Sequence, residues 1–150
     1  MKNSINTYLN IKIINKDVLE VDLNALIAEE FGDMPVMVCA NLPYYITTPI
    51  LMALLEQHLP ISVLVTMVQK EVADKVLAAP GTEAWGPLAL RCQFYCEPYL
   101  AMDVPAACFT PAPKVDSAFI VMPFRAEPAV VPRNEELFFR VVSAAFALRR

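Results

Sequence analysis

The chain has 150 residues, of which 57% are hydrophobic and 19% are charged. This composition excludes a disordered chain, which would be poor in apolar residues and rich in charge. The formal net charge of −4 excludes a broadly basic nucleic-acid-binding protein, so any contact with nucleic acid must be local. Residues 109–150 carry six Lys or Arg against four Asp or Glu, which makes this quarter the better candidate face for phosphates.

Hydrophobic periodicity predicts strands and helices in alternation along the first part of the chain. We expect a short strand over residues 11–14 and a helix over 22–31. The continuous apolar run over 36–40 is typical of a strand covered on both faces. A helix should follow, with Thr48 as its N-cap and its end near Glu56.

The later elements follow from the same patterns. Strands are expected over 61–68, 99–104 and 115–124, and helices over 69–77 and 88–96. Asn134 is predicted to cap a final helix whose apolar face comprises Leu137, Phe138, Val141, Val142, Ala145 and Phe146.

This order predicts an α/β fold with a mostly parallel sheet, in which 115–124 is a hairpin-like return and not a further β-α-β crossover. In such a sheet the functional loops lie beyond the carboxyl ends of the strands. Two candidate loops occupy that place, at residues 15–17 and 41–45.

The four cysteines have no spacing that suggests disulfides. Cys92 and Cys96 would share a helix face, and with His58 as the only histidine the chain supplies a zinc site poorly. We therefore expect buried reduced thiols, no metal and a cytoplasmic protein. Residues 46–55 are too few to span a membrane, and residues 1–8 lack the apolar core of a signal peptide.

The loop Asn41-Leu42-Pro43-Tyr44 has the chemistry to hold a purine amino group. The Asn41 amide oxygen accepts hydrogen bonds, Pro43 has no N–H and lets nearby carbonyls point outward as further acceptors, and Tyr44 provides a flat ring for stacking. Two acceptors that take both N–H bonds turn the nitrogen lone pair out of the ring plane, towards an incoming methyl group. The alternative is a plain strand-to-helix turn with a buried tyrosine.

A second aromatic residue, Phe109, lies in a loop stiffened by Pro111 and Pro113. Two rings can clamp a base that has left its stack. Stacking is worth about 1–3 kcal/mol per base, which offsets much of the cost of extrusion.

Four segments in this order resemble the ribosomal RNA small-subunit adenine N6-dimethyltransferase family, the kasugamycin-resistance type. They are residues 15–19 (Asn-Lys-Asp-Val-Leu), 41–50 (Asn-Leu-Pro-Tyr-Tyr-Ile-Thr-Thr-Pro-Ile), 67–73 (Met-Val-Gln-Lys-Glu-Val-Ala) and 108–118 (Cys-Phe-Thr-Pro-Ala-Pro-Lys-Val-Asp-Ser-Ala).

The resemblance implies a Rossmann-like, S-adenosylmethionine-dependent methyltransferase that methylates N6 of two adjacent adenosines near the 3′ end of small-subunit rRNA. Asp17 and Val18 would bind the adenine of S-adenosylmethionine, and Asn41 would also belong to the cofactor site. Asn41, with the Leu42 carbonyl, would hold the target N6. Asn41, Leu42, Pro43, Tyr44 and Phe109 would form the catalytic site. Candidate contacts to RNA, given as a looser expectation, are Lys70, Lys114, Arg140, Arg149 and Arg150.

The family's Gly-rich cofactor loop and the acidic residue that holds the ribose are absent from this sequence, which has three glycines in all. We therefore expect an N-terminally truncated fragment that is inactive alone. Residues 1–126 would be the C-terminal part of the catalytic domain. Residues 127–150 would be a linker and the first helix of a small helical RNA-binding domain.

Two other functions remain open at this point. One is the related methyltransferase of large-subunit rRNA that confers macrolide resistance; the Thr47-Thr48-Pro49 helix start and residues 114–117 favour the small-subunit type. The other is a non-catalytic rRNA-binding assembly factor of the same fold. The implied partner is small-subunit rRNA in a 30S-type particle, with no membrane and with a monomeric full-length enzyme.

Overall fold

The structure, a computed structural model, describes residues 10–147. This part of the chain forms one four-stranded sheet with helices packed against it. The helices are α1 Leu23–Phe31, α2 Thr47–Glu56, α3 Lys70–Leu77, α4 Pro87–Tyr95 and α5 Glu135–Ala147. The strands are β1 Val36–Asn41, β2 Ile61–Gln69, β3 Tyr99–Val104 and β4 Ser117–Pro123.

The strand order is β1-β2-β4-β3. Strands β1 and β2 are parallel, with Asn41 opposite Met67, whereas β4 runs antiparallel to both β2 and β3. The α/β class and the hairpin-like return of β4 are therefore confirmed. The described sheet is mixed: β1, β2 and β3 run in one direction, and β4 returns from β3 to insert between β3 and β2 in the opposite direction.

Residues 11–14 do not form the predicted strand. Ile13 is 53% exposed, and no strand of the described residues pairs with this segment. Alternating apolar residues form a strand only when a neighbouring strand accepts their backbone hydrogen bonds. The chain instead continues to Asp17, whose carboxylate accepts a hydrogen bond from the Leu19 amide and caps a 3-10 turn at Val18–Glu20.

Strand β1 is covered on one face and not on both. Val36, Val38 and Ala40 face the core, whereas Met37 is 65% exposed and Cys39 is also exposed. The prediction of cover on both faces is therefore wrong for the described part of the chain, where β1 is an edge strand. Unbroken apolar runs arise in strands that are covered on both faces, but the run itself does not supply the cover.

Helix α2 begins two residues earlier than the Thr48 cap predicted. A 3-10 turn over Tyr44–Ile46 leads directly into the helix at Thr47, so Thr48 lies inside it and is not the N-cap. The Thr47 hydroxyl donates to the Pro43 carbonyl at 3.0 Å. The helix start is thus tied to the preceding loop, and the predicted end at Glu56 is confirmed.

The core lies between the central strands and the helices that cover them. Leu64 and Val68 of β2 and Ile120 and Met122 of β4 have no exposed surface. Leu51 of α2 is also fully buried against them. Burial of this kind removes apolar surface from water and is the main favourable contribution to folding. The packed core holds the carboxyl ends of β1 and β2 in fixed register.

Helix α5 packs on α4 through a face that only partly matches the predicted one. Phe138, a predicted member of that face, packs against the core, with its ring centroid 5.5 Å from that of Phe94. Phe139 is the buried residue of α5, and its ring centroid lies 5.0 Å from that of Phe94. Leu137 and Val141, which were predicted to face the core, are 55% and 60% exposed. The helix carries apolar residues on more than one side, and only the position of the Phe94 ring selects the side that packs.

Replacing Asn134 tests the predicted N-cap of α5, which the structure confirms. The Asn134 side-chain oxygen accepts a hydrogen bond of 2.8 Å from the Leu137 amide. Asn134→Ala should lower the free energy of unfolding by about 1 kcal/mol, because the amide loses its partner. Asn134→Asp keeps an acceptor and should change the free energy of unfolding little. Urea titration followed by circular dichroism measures both, and equal losses in the two variants would contradict the assignment.

The four cysteines fall into two pairs of opposite environment. Cys92 and Cys96 are buried and free, whereas Cys39 and Cys108 are exposed. Burial raises the pKa of both buried thiols, with Cys96 reaching about 12 despite the opposing charge of Arg125. None of the four forms a disulfide, but the expectation of burial holds for Cys92 and Cys96 only.

Thiol reactivity should follow this division. Only thiolates attack disulfide reagents, so at about pH 8 the folded chain should react rapidly at Cys39 and Cys108 and slowly at Cys92 and Cys96. All four should react in denaturant. A Cys39→Ser, Cys108→Ser double variant is the control, and it should lose the rapid phase. A rapid phase that persists in that variant would show that the buried pair is accessible.

Candidate active site

The loop that follows β1 is anchored at both of its ends. Asn41 ends the strand opposite Met67, and Leu42 is buried with 7% of its surface exposed. The Pro43 carbonyl accepts hydrogen bonds from the Thr47 hydroxyl and the Ile46 amide, at 3.0 and 3.1 Å. Because the Pro43 carbonyl is engaged within the loop, the Asn41 side chain and the Leu42 carbonyl remain as the candidate acceptors for a ligand.

Tyr44 is held by the sheet as well as by its own turn. Its hydroxyl lies 2.5 Å from the hydroxyl of Ser117, the first residue of β4. The side chain is half-buried, so part of it remains accessible. An aromatic ring fixed at its polar end in this way is suited to stacking on a flat ligand.

Phe109 follows a 3-10 turn over Ala106–Cys108. Asp116 caps this turn, since its carboxylate accepts a hydrogen bond of 2.8 Å from the Ala106 amide. The Phe109 amide donates to the Ala106 carbonyl at 3.1 Å, and the Phe109 ring is half-buried. The segment between β3 and β4 is therefore an ordered loop and not a regular strand or helix, as the prolines predicted.

Asn41, Tyr44 and Phe109 line one open cleft of about 420 Å³. The loop after β1 forms one wall, and the loop between β3 and β4 forms the other. This volume lies in the range of small-molecule sites and fits a single planar base. The residues that line the cleft are Asn41, Leu42, Pro43, Tyr44, Met67, Phe109, Pro111 and Pro113.

A second cleft of about 560 Å³ lies on the other side of the same loop. Asp17 and Val18 line it together with apolar residues of α1 and β1. The two clefts share Asn41, Leu42 and Pro43. A ligand in one cleft and a ligand in the other would therefore meet at Asn41. We call the first the base cleft and the second the cofactor cleft.

The cofactor cleft matches part of what an adenine ring requires. The Asp17 carboxylate can accept from an exocyclic amine, while Val18, Leu23 and Val38 offer apolar surface for the faces of the ring. One Asp17 oxygen already accepts from the Leu19 amide at 2.9 Å, which fixes the carboxylate in place. These residues fit the adenine end of a nucleoside-containing cofactor.

The candidate RNA-contacting residues are scattered. Lys70 bridges Asp74 at 2.8 Å and Asp103 at 3.3 Å, and these carboxylates raise its pKa, so its charge is already partly neutralised. Lys114 is exposed in the loop that bears Phe109. Arg140 lies on α5 beside a groove of about 820 Å³ that shares no residue with either cleft. Arg149 and Arg150 lie outside the described residues.

Three contributors to the base cleft were not assigned a role from the sequence. Met67 is 8% exposed and lies at the end of β2 beside Asn41, and Ser117 and Asp116 hold the two aromatic segments. Met67 and Ser117 lie in segments that matched the family pattern, so the sequence could have marked them as site residues. Their contacts depend on strand register, which the pattern does not specify.

Two further findings concern residues 10–147 only. None of the helices in this range is long and apolar enough to cross a membrane. No group of three or more His, Cys, Asp or Glu side chains in this range is placed to hold a metal ion.

Comparison with curated proteins gives relatives at 45–50% identity. One is ribosomal RNA small subunit methyltransferase A of Lachnoclostridium phytofermentans, 45% identical over 99% of this chain and 51% of its own length. Another is the protein of the same name from Geobacillus thermodenitrificans, 50% identical over 100% of this chain and 52% of its own length. The chain therefore spans about half the length of these relatives.

Two solved structures share the fold. A dimethyladenosine transferase from Plasmodium falciparum has a TM-score of 0.80 and 23% identity over 97% of this chain and 49% of that one. The 23S rRNA methyltransferase ErmE has a TM-score of 0.70 and 27% identity over 91% of this chain and 52% of that one. The Rossmann-like methyltransferase fold class expected from the sequence is thus confirmed. The model of the family described as ribosomal RNA adenine dimethylase matches residues 1–150, and this chain belongs to that family.

Proposed function

We propose that this chain forms the target-base side of an rRNA adenine N6-dimethyltransferase that uses S-adenosylmethionine. The observation that carries the proposal is the position of Asn41 at the boundary between two clefts, one lined by Tyr44 and Phe109 and the other by Asp17 and Val18. Methyl transfer needs a nucleophile and a methyl donor that meet in line. The two clefts share a wall of three residues, so a base in one cleft would lie close to a methyl donor in the other.

In the base cleft, Tyr44 and Phe109 stack on the two faces of an extruded adenine. The Asn41 side-chain oxygen and the Leu42 carbonyl accept the two hydrogens of N6. This orients the nitrogen lone pair towards the cofactor cleft. As the bond from N6 to the methyl carbon forms, the bond from that carbon to the sulfonium sulfur would break, and the sulfur would leave as a neutral thioether. N6 would then be cationic and lose a proton to water, so the chain needs no general base. Pro43 stiffens the loop that presents both acceptors.

In the cofactor cleft, the Asp17 carboxylate accepts from the adenine amine of S-adenosylmethionine, and Val18 covers the ring. S-adenosylmethionine supplies, when bound, an electrophilic methyl group on a sulfonium. Asn41 lines both clefts, and its side chain would hold the target nitrogen at their boundary.

The proposed substrate is small-subunit rRNA, methylated at two adjacent adenosines near its 3′ end. The relatives named for the small subunit are 45–50% identical to this chain, whereas the 23S rRNA enzyme ErmE is 27% identical. This difference favours the small subunit over the large one. The partner would be a 30S-type particle in the cytoplasm, and the whole enzyme a monomer.

The remaining assignments complete the proposal. Residues 1–126 belong to the catalytic domain, and residues 127–150 are the linker and the first helix of a helical RNA-binding domain. Lys114, which is exposed beside the base cleft, is the strongest of the candidate phosphate contacts. Lys70 is a weaker one, because Asp74 and Asp103 compete for its charge.

The test is methyl transfer from labelled S-adenosylmethionine to small subunits that lack the modification. Two proteins are compared: the chain as it stands, and the chain joined to the part of the Geobacillus thermodenitrificans relative that it does not match. The joined protein should label small-subunit rRNA at N6 of adenine, whereas the unjoined chain should not. Binding of the particle by the joined protein without transfer would favour a non-catalytic assembly factor.

A further inference from the structure

Ser117 is a fully buried hydroxyl whose partner is the hydroxyl of Tyr44, 2.5 Å away. A buried hydroxyl without a partner is costly, so each of these two groups satisfies the other. Ser117 pairs with Gln69 of β2 on one side and with Val104 of β3 on the other, and the sheet thus fixes its position. The Tyr44 ring is therefore set by the sheet and not only by its own loop.

The preceding residue, Asp116, fixes the turn that carries Phe109. Its carboxylate accepts a hydrogen bond of 2.8 Å from the Ala106 amide, in the turn that leads into Phe109. Its backbone carbonyl accepts a hydrogen bond of 3.0 Å from the Lys70 amide at the start of α3. The turn that carries Phe109 is thereby tied to the junction of β2 and α3.

We propose that Asp116 and Ser117 are positioning residues that together set the separation of the Tyr44 and Phe109 rings across the base cleft. The inference rests on the proposed function, because it assigns a use to that cleft. Asp116 and Ser117 are joined by one peptide bond, so the two walls of the cleft are held by adjacent residues of the backbone. A base can stack on both rings only if their separation is held within a narrow range.

The Asp116 half is tested by amide hydrogen exchange, measured by NMR on the 150-residue chain. Asp116→Ala removes the acceptor of the Ala106 amide, and exchange at that amide should become about tenfold faster or more. Asp116→Asn keeps an acceptor oxygen and should stay within about twofold of the unaltered chain. Amides of β4 beyond Ser117 serve as the internal control for folding. An unchanged Ala106 rate in Asp116→Ala would overturn this half.

The Ser117 half is tested by fluorescence of a single-stranded RNA oligonucleotide that carries 2-aminopurine in place of the target adenine. Each protein is added until the RNA is saturated. Stacking quenches this base, so the unaltered chain should lower its emission. Ser117→Ala and Tyr44→Phe should each weaken the quenching. The double variant should quench as much as either single variant, because both substitutions remove the same contact. Additive losses would show that Ser117 does not act through Tyr44 and would overturn this half.

Ser62→Ala is the matched control, since it removes a hydroxyl that donates to the Val36 carbonyl at 2.9 Å near the opposite end of the sheet. It should leave the quenching unchanged. Asp116→Asn should restore the quenching that Asp116→Ala loses, which a general loss of stability would not do. Absence of quenching in the unaltered chain would overturn the proposed base site. The exchange rates would then still decide whether Asp116 holds the turn.

Discussion

Asn41→Ala, made in the protein that joins this chain to the unmatched part of a relative, is expected to lower kcat for methyl transfer on the order of 10²–10³-fold. The variant removes one of the two acceptors for the N6 hydrogens, and the lone pair then spends little time directed at the methyl carbon. Asn41 is the polar residue shared by the two clefts, and the sheet fixes its backbone opposite Met67. No other side chain of the shared wall carries an amide oxygen.

The affinity for S-adenosylmethionine should change much less, within about threefold, because Asp17 and the apolar wall of the cofactor cleft remain. Single-turnover kinetics measures the transfer step, and calorimetry measures cofactor binding. Asn24→Ala is the matched control, since Asn24 is an exposed residue of α1 that lines neither cleft. Near-normal turnover in Asn41→Ala would remove Asn41 from the proposed role.

The local features of the site could be predicted from the sequence because they depend on short-range chemistry. The apolar run of β1 followed by Asn-Leu-Pro-Tyr marks a strand end and a stiff loop, and that loop is where the structure has it. The bounds of β3 were predicted without error, at Tyr99–Val104, because Pro98 and Pro105 flank the strand. Asn134 was identified as a cap for a similar local reason.

The long-range features could not be predicted in this way. The mixed sheet follows from where β4 inserts, and the exposed face of β1 follows from the absence of a covering layer within the described residues. Periodicity assigned Leu137 to the core, but Phe139 is buried instead, because the choice depends on Phe94 of another helix. The Tyr44–Ser117 contact joins residues 73 positions apart and depends on the register of β4.

Tyr44→Ala is expected to weaken RNA binding by the joined protein by about tenfold to a hundredfold, since stacking on one base is worth about 1–3 kcal/mol. Tyr44 lines the base cleft and not the cofactor cleft, so the affinity for S-adenosylmethionine should be unchanged. Titration of a fluorescent RNA that contains the two target adenosines measures the first quantity, and calorimetry measures the second.

The neighbouring tyrosine provides the control for this prediction. Tyr45 is 85% exposed and lines the cofactor cleft but not the base cleft. Tyr45→Ala should therefore leave RNA binding nearly unchanged, although it removes a ring of the same size from the adjacent position. Phe109→Ala, on the opposite wall, should weaken RNA binding to a similar degree as Tyr44→Ala. Equal losses of RNA and cofactor binding in Tyr44→Ala would indicate a folding defect, and equal effects at Tyr44 and Tyr45 would contradict a stacking role specific to the base cleft.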